Sequence, residues 1–173
     1  MYVKLLSLFA AVVLVAACET APSDTGAATG IGRTGLTTGN NGIGTSTGSV
    51  RPGSQDDLAS LGGQGTGDRV FFQYDRADLT PEGRATLDRQ AGWLRQYGQV
   101  TVTIEGHTDE RGTREYNIGL GNSRATAVRN YLTALGIDAN RVAVISYGKE
   151  RPAVLGDSDQ TWSQNRRGVT LVN

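Results

Sequence analysis

The segment Val100-Thr101-Val102-Thr103-Ile104-Glu105-Gly106-His107-Thr108-Asp109-Glu110-Arg111-Gly112-Thr113 changes its periodicity halfway along. Up to Glu105, Val and Ile alternate with Thr and Glu, the pattern of a strand with one buried face. Glycines 106 and 112 then flank a polar loop, and a helix is expected from about Thr113. Its stripe is Asn117, Leu120, Arg124, Val128, Tyr131 and Leu135. At about 100° per residue these fall within a sector of roughly 80°. Gly136 suits the C-terminal cap.

Upstream, Val70-Phe71-Phe72-Gln73-Tyr74 reads as a short strand, followed by a loop from Asp75 to Asp78. Thr80-Pro81-Glu82 starts a helix, with Thr as cap, Pro at the first helical position and an acid in the first turn. Leu87, Ala91 and Leu94 continue it to an end near Tyr97-Gly98. Downstream, Val142 to Tyr147 reads as a third strand. Gly148 to Trp162 reads as irregular, and Asn165-Arg166-Arg167 leads into a last strand, Gly168 to Val172. The order β-α-β-α-β-β implies an α+β sandwich, a mixed sheet with helices packed on one face.

Asp109 on the loop and Arg124 in the apolar stripe carry the chemistry. A buried Arg needs partners. One reading is structural, a packed stem with its head at the surface or in an ion pair. The other is a pocket at the helix N-terminus, where Arg124 holds a carboxylate bidentately and Asp109 accepts from an ammonium. Together they suit a zwitterion such as the free end of an amino acid. Asp75, just beyond the first strand, is either a turn residue or a further contact. Arg166 and Arg167 are either a solvated basic edge or a second anion contact. His107 is the only histidine. It has no companion ligands for a metal and no Gly-x-Ser-x-Gly or comparable nucleophile beside it, so it reads as a packing or loop-fixing residue. The chain is read as non-enzymatic, without cofactor or metal.

The 173 residues hold 17 basic and 17 acidic side chains, a balance that argues against a nucleic-acid partner. Roughly half of the 24 glycines fall between Glu19 and Gly67, a stretch without Phe, Tyr or Trp. That stretch buries too little to offset ordering entropy and is expected to be a flexible tether. A coil of about 50 residues reaches on the order of 35–40 Å. Gly30-Ile31-Gly32-Arg33-Thr34-Gly35 matches a dinucleotide pattern but lacks the flanking strand and helix that give it meaning. The folded part is expected over 68–173.

Residues 1–17 read as a secretory signal: Lys4, an apolar run too short to span a bilayer, then small residues. Leu14-Val15-Ala16-Ala17-Cys18 resembles a bacterial lipobox, which implies acylation of Cys18, the only cysteine. More than one acyl chain gives stable anchoring. The lipoprotein sorting rule associates inner-membrane retention mainly with Asp after the cysteine, so with Glu19 there the resemblance favours the outer membrane.

The folded part strongly resembles the OmpA-like peptidoglycan-binding domain. The family pattern N-x2-L-S-x2-R-A-x2-V-x3-L is met by Asn117, Leu120, Arg124, Ala125, Val128 and Leu132, with Gly121 where Ser is usual. The phrases from Glu105 to Asn117 and from Val144 to Ala153, and Asn165-Arg166-Arg167, are similar to the lipoproteins of that family in the Tol-Pal system. The resemblance implies non-covalent binding of the diaminopimelate of the peptidoglycan stem peptide. Asp109 and Arg124 would hold its ammonium and carboxylate, and Asp75, Thr108, Asn117 and Leu120 would line the pocket. It further implies TolB as a partner and a role in drawing the outer membrane inward at division. A protein that acts mainly through partners such as TolB is the alternative. Gln73 stands where many relatives have Asp.

Overall fold

The computed structural model describes residues 50–173. The signal-like run, Cys18 and the Gly-rich tract as far as residue 49 lie outside the described residues. In chain order the elements are α1 (Gln55–Ser60), β1 (Arg69–Phe71), α2 (Pro81–Gln96), β2 (Val102–His107), α3 (Arg114–Ala134), β3 (Val142–Gly148), α4 (Asp159–Asn165) and β4 (Arg167–Val172). The sheet order is β1-β4-β2-β3. β2 and β3 run parallel, joined by α3, and the other two pairings are antiparallel. The fold is α+β with a mixed sheet, as the alternation of patterns suggested.

The core lies between one face of the sheet and the two long helices. Leu87, Ala91 and Leu94 of α2 and Ala125, Val128 and Leu132 of α3 meet Val70, Val102, Ile104 and Val142. Both helices begin at threonine caps. Thr80 accepts from the Gly83 N–H and Thr113 from the Tyr116 N–H, satisfying donors that the first turn leaves free.

α3 meets the sheet through two glycines. A Cβ on Gly106 would lie 1.8 Å from the Gly121 carbonyl oxygen. A Cβ on Gly121 would lie 2.4 Å from Ser146 Oγ and 2.8 Å from the Gly106 carbonyl. This crossing turns α3 slightly from the orientation expected. Asn117, Gly121, Arg124, Ala125, Val128 and Leu132 are its buried residues, while Leu120, Tyr131 and Leu135 flank the interface half-buried.

Three features depart from expectation. β1 spans only Arg69–Phe71, because Gln73 and Tyr74 leave the sheet for a loop in which Asp75 takes φ +55°, a conformation Asp tolerates. The segment from Gly148 to Trp162 is not wholly irregular. Ser158 and Thr161 form a reciprocal capping box that starts α4.

The third departure is the start of the folded part, which precedes Asp68. Leu58 of α1 is fully buried in the core, with half-buried Leu61 beside it. Asp57 accepts from Trp93 Nε1 at 2.9 Å. The Gln55 amide completes β4 where the short β1 runs out, donating to the Thr170 carbonyl (3.1 Å) and accepting from the Val172 N–H (2.8 Å). The expectation of a tether up to residue 67 fails over 54–67, because two leucines and two polar anchors suffice to dock a short helix. Burying a leucine contributes about 1.5–3 kcal/mol.

Candidate functional site

The loop between β2 and α3 is held from three sides. The Thr108 N–H donates to the Gly148 carbonyl (2.9 Å). The Asn117 amide, one turn into α3, donates back to the carbonyls of Arg111 (2.8 Å) and Thr113 (3.0 Å). Lys149 Nζ donates to the carbonyls of Glu110 (3.1 Å) and Gly112 (2.8 Å). Gly112 takes φ +89°, which suits glycine.

Asp109 sits on this loop and is buried. Its Oδ1 accepts from the Arg111 N–H (3.2 Å) and Nε (3.1 Å). Its Oδ2 accepts from Arg111 Nη2 (2.6 Å) and Arg166 Nη1 (3.3 Å). Burial pushes the Asp109 carboxyl up, but the bonds from Arg111 and Arg166 outweigh it and leave the group below the ordinary carboxylate range. The Arg111 guanidinium is itself stacked between the rings of Tyr74 and Trp162, 4.1 Å from each centroid.

Arg124 is fully buried. Its Nε donates to the Arg76 carbonyl (2.8 Å), Nη1 to the His107 carbonyl (2.8 Å) and Nη2 to the Gln73 carbonyl (3.0 Å). A guanidinium has five N–H donors, so among the described residues one N–H on each Nη is left unclaimed. Burial pushes its pKa down to about 10, partly offset by Asp109, and it remains charged at neutral pH. The three carbonyls tie α3 to the end of β2 and to the loop after β1. The role is structural in a way not expected, since the head is neither at the surface nor in an ion pair among the described residues but buried against three carbonyls, with two donors to spare.

Asp75, on the loop after β1, accepts a hydrogen bond from the Tyr116 hydroxyl on Oδ1. Its other oxygen accepts none among the described residues. Asp75, Thr108, Asp109, Asn117, Leu120 and Arg124, the six residues singled out in the sequence, line one pocket of about 60 Å³. Tyr74, Arg111, Gly112 and Tyr116 complete it. None of these four was named as a pocket residue from the sequence. Arg111 belongs to the same loop, but its stacking partners Tyr74 and Trp162 are far apart along the chain, and no local spacing announces them.

The other candidates resolve differently. His107 points away from the pocket and is buried against Tyr147, ring centroids 5.7 Å apart. Its Nε2 lies 3.2 Å from Glu105 Oε2, and Nδ1 has no partner among the described residues. Burial, helped by Arg167 and Arg151, pushes its pKa down to about 4. It fixes the loop through its carbonyl bond to Arg124. Arg166 is neither a solvated edge nor a free anion contact, since it donates to Asp109 and to the Phe72 carbonyl (3.1 Å). Arg167 is buried and donates to the carbonyls of Asn165 (3.3 Å) and Arg151 (3.1 Å). Gln73 gives the central pocket only its backbone carbonyl.

The site thus sets a buried Arg with spare donors beside two carboxylates, one on the β2–α3 loop and one on the loop after β1. The model of the OmpA family matches residues 71–166, and the chain belongs to that family. Its relatives there carry a more particular name, peptidoglycan-associated lipoprotein. That of Brucella melitensis is 48% identical over 126 residues, 73% of either chain. That of Pseudomonas aeruginosa is 45% identical over 160 residues, 92% of either chain. Among solved structures, the peptidoglycan-associated lipoprotein from Burkholderia pseudomallei superposes with a TM-score of 0.60 at 39% identity, covering 61% of this chain and 90% of that one. The C-terminal domain of Helicobacter pylori MotB, at 21% identity and a TM-score of 0.57 over 61% of this chain and 84% of that one, shares the fold.

Proposed function

We propose that this protein is a non-enzymatic outer-membrane lipoprotein that grips peptidoglycan non-covalently. Cys18 carries the lipid, the chain from there to α1 is the tether, and the folded domain holds the diaminopimelate of a stem peptide. The observation that carries this is the unclaimed pair of N–H donors on Arg124, beside Asp75 and Asp109, in a pocket sized for one charged end group. Arg124 takes the carboxylate of the zwitterion. The ammonium sits between Asp109, whose oxygens are already heavily donated to, and the open oxygen of Asp75. Tyr74 and Leu120 give the aliphatic part an apolar wall. Membership of the OmpA family and the name its relatives carry, peptidoglycan-associated lipoprotein, support peptidoglycan as the ligand. TolB as a partner and inward traction on the outer membrane at division, as part of the Tol-Pal system, rest on the likeness of the whole chain to lipoproteins of that system.

The test is co-sedimentation with purified sacculi. Arg124→Ala is a poor probe, because it strips three buried carbonyls of their donor and threatens the fold. Asp109→Asn and Asp75→Asn keep shape and remove charge. Both are expected to lower the bound fraction at least tenfold while the circular dichroism spectrum stays that of wild type. If the double Asn variant still pellets like wild type, the pocket is not the binding site.

A further inference from the structure

The concave surface does not end at the zwitterion pocket. Arg166, which donates to Asp109, also lines a second and larger cavity of about 440 Å³. This cavity lies between the end of β1, the first turn of α2 and the end of α4, with Phe71, Gln73, Thr80, Glu82 and Gln164 on its walls. A further hollow of about 220 Å³ shares Phe71, Thr80 and Glu82 with it and continues along β1 to Arg69. The two together form a groove that starts beside the pocket, at the Arg166–Asp109 bond, and follows the outer strand of the sheet.

The groove's chemistry selects among ligands. Arg69 is paired with Asp68 and Arg166 with Asp109, and Glu82 adds a negative charge, so nothing favours a polyanion. Phe71 is 43% exposed and offers an apolar ring. Gln73, Gln164 and Thr80 offer neutral donors and acceptors. The bonds from Thr170 N to Asp68 O and from Phe72 N to Arg166 O put Val70 in the bonded register with Gly168. The N–H and C=O of Phe71 therefore face outward, away from β4. An aromatic ring with uncharged hydrogen-bonding groups around it matches a pyranose, which has an apolar face and a rim of hydroxyl and acetamide groups.

We propose that this groove is a glycan subsite, taking the N-acetylated amino sugars to which the stem peptide in the Asp109 pocket is attached. The inference rests on the zwitterion reading of that pocket. Continuity supports it: the peptide leading from the held residue to its sugar is short, two extended residues spanning about 7 Å. Arg166 lines the second cavity and is hydrogen-bonded to Asp109 of the first, and Gln73 of the second adjoins Tyr74 of the first in the chain, so the two lie side by side.

Titration calorimetry on the full-length protein tests it with two ligands. One is the free stem peptide ending in diaminopimelate. The other is the same peptide on its amino-sugar disaccharide. The wild type is expected to bind the second about tenfold more tightly. Phe71→Ala and Gln164→Ala, both exposed positions, are expected to cancel that gain and leave the affinity for the free peptide unchanged. If the sugar adds nothing in the wild type, or its gain survives both variants, the glycan subsite is overturned and the pocket reading stands. If neither ligand binds, the pocket reading is overturned and the subsite with it. Protection of the Phe71 amide from hydrogen exchange by an added extended peptide, and not by the sugar, would assign the edge to strand addition and overturn the proposal.

Discussion

Arg124 Nη1 lies 2.8 Å from the carbonyl of His107, so the buried cation of α3 is hydrogen-bonded to the residue that ends β2 and opens the loop carrying Asp109. The same guanidinium holds the loop after β1 through Gln73 and Arg76. The pocket's cation is thus also the fastener that brings its two acid-bearing loops together. Removing it is expected to be far more costly than a binding residue alone would be. Arg124→Ala leaves three carbonyls without their donor and is expected to lower stability by about 3–5 kcal/mol. Urea denaturation followed by tryptophan fluorescence measures this. Arg124→Lys, which cannot serve three directions from one planar fork, is expected to fall between.

His107 gives the domain a pH dependence with a defined sign. Its folded pKa is about 4, against 6.5 for an ordinary imidazole. The unfolded chain therefore binds the proton first as pH falls. Stability from the neutral ring is whole above about pH 6.5, falls as pH drops through the interval to 4, and levels off below it. By pH 5 the loss is about 2 kcal/mol. Since the chain has one histidine, its imidazole resonance reports this without ambiguity, and the native signal is expected to titrate near pH 4. A midpoint near 6.5 in the folded protein would remove the effect.

Gly121 stands where the family usually has Ser. Here the space is taken by Ser146, whose Oγ donates to the Ile118 carbonyl at 2.8 Å. Restoring the usual residue, Gly121→Ser, is expected to destabilise by about 1–3 kcal/mol through overpacking. Part of this should be recovered when Ser146→Ala removes the nearer obstacle. A double-mutant cycle in thermal unfolding tests the pairing, since the two substitutions are expected to be non-additive.

Leu58 lies in a stretch whose composition resembles a linker, yet it is fully buried. Leu58→Ala is expected to cost about 2–5 kcal/mol, a core value that a residue in a free tether would not show. Chemical denaturation at neutral pH is the measurement.

The strand, loop and helix around Asp109 were legible because each follows one strong local rule: period two, flanking glycines, then a threonine cap. Arg124 stood out because a charge in an apolar stripe demands an explanation. What escaped depends on residues distant in sequence. The Arg111 stack needs Tyr74 and Trp162, and the rotation of α3 needs Gly106 opposite Gly121. α1 was hidden by its surroundings, since Leu58 and Leu61 sit among glycines and polar residues whose average signals disorder. The capping box at Ser158 was visible in principle, but a helix of 7 residues has too little apolar repeat to declare itself.

The docking of α1 decides how the domain meets a mechanical load. Pulling on the chain ahead of Gln55 does not peel a strand from the edge of the sheet one bond at a time. It strains together the Gln55 bonds to Thr170 and Val172, the Asp57 bond to Trp93 and the seat of Leu58. Bonds loaded in shear share the force, whereas bonds loaded in sequence fail singly. In single-molecule stretching from the N-terminal side, Gln55→Ala is expected to lower the rupture force more than its small effect on equilibrium stability would suggest. A short docked helix ahead of the sheet serves as the domain's strain relief.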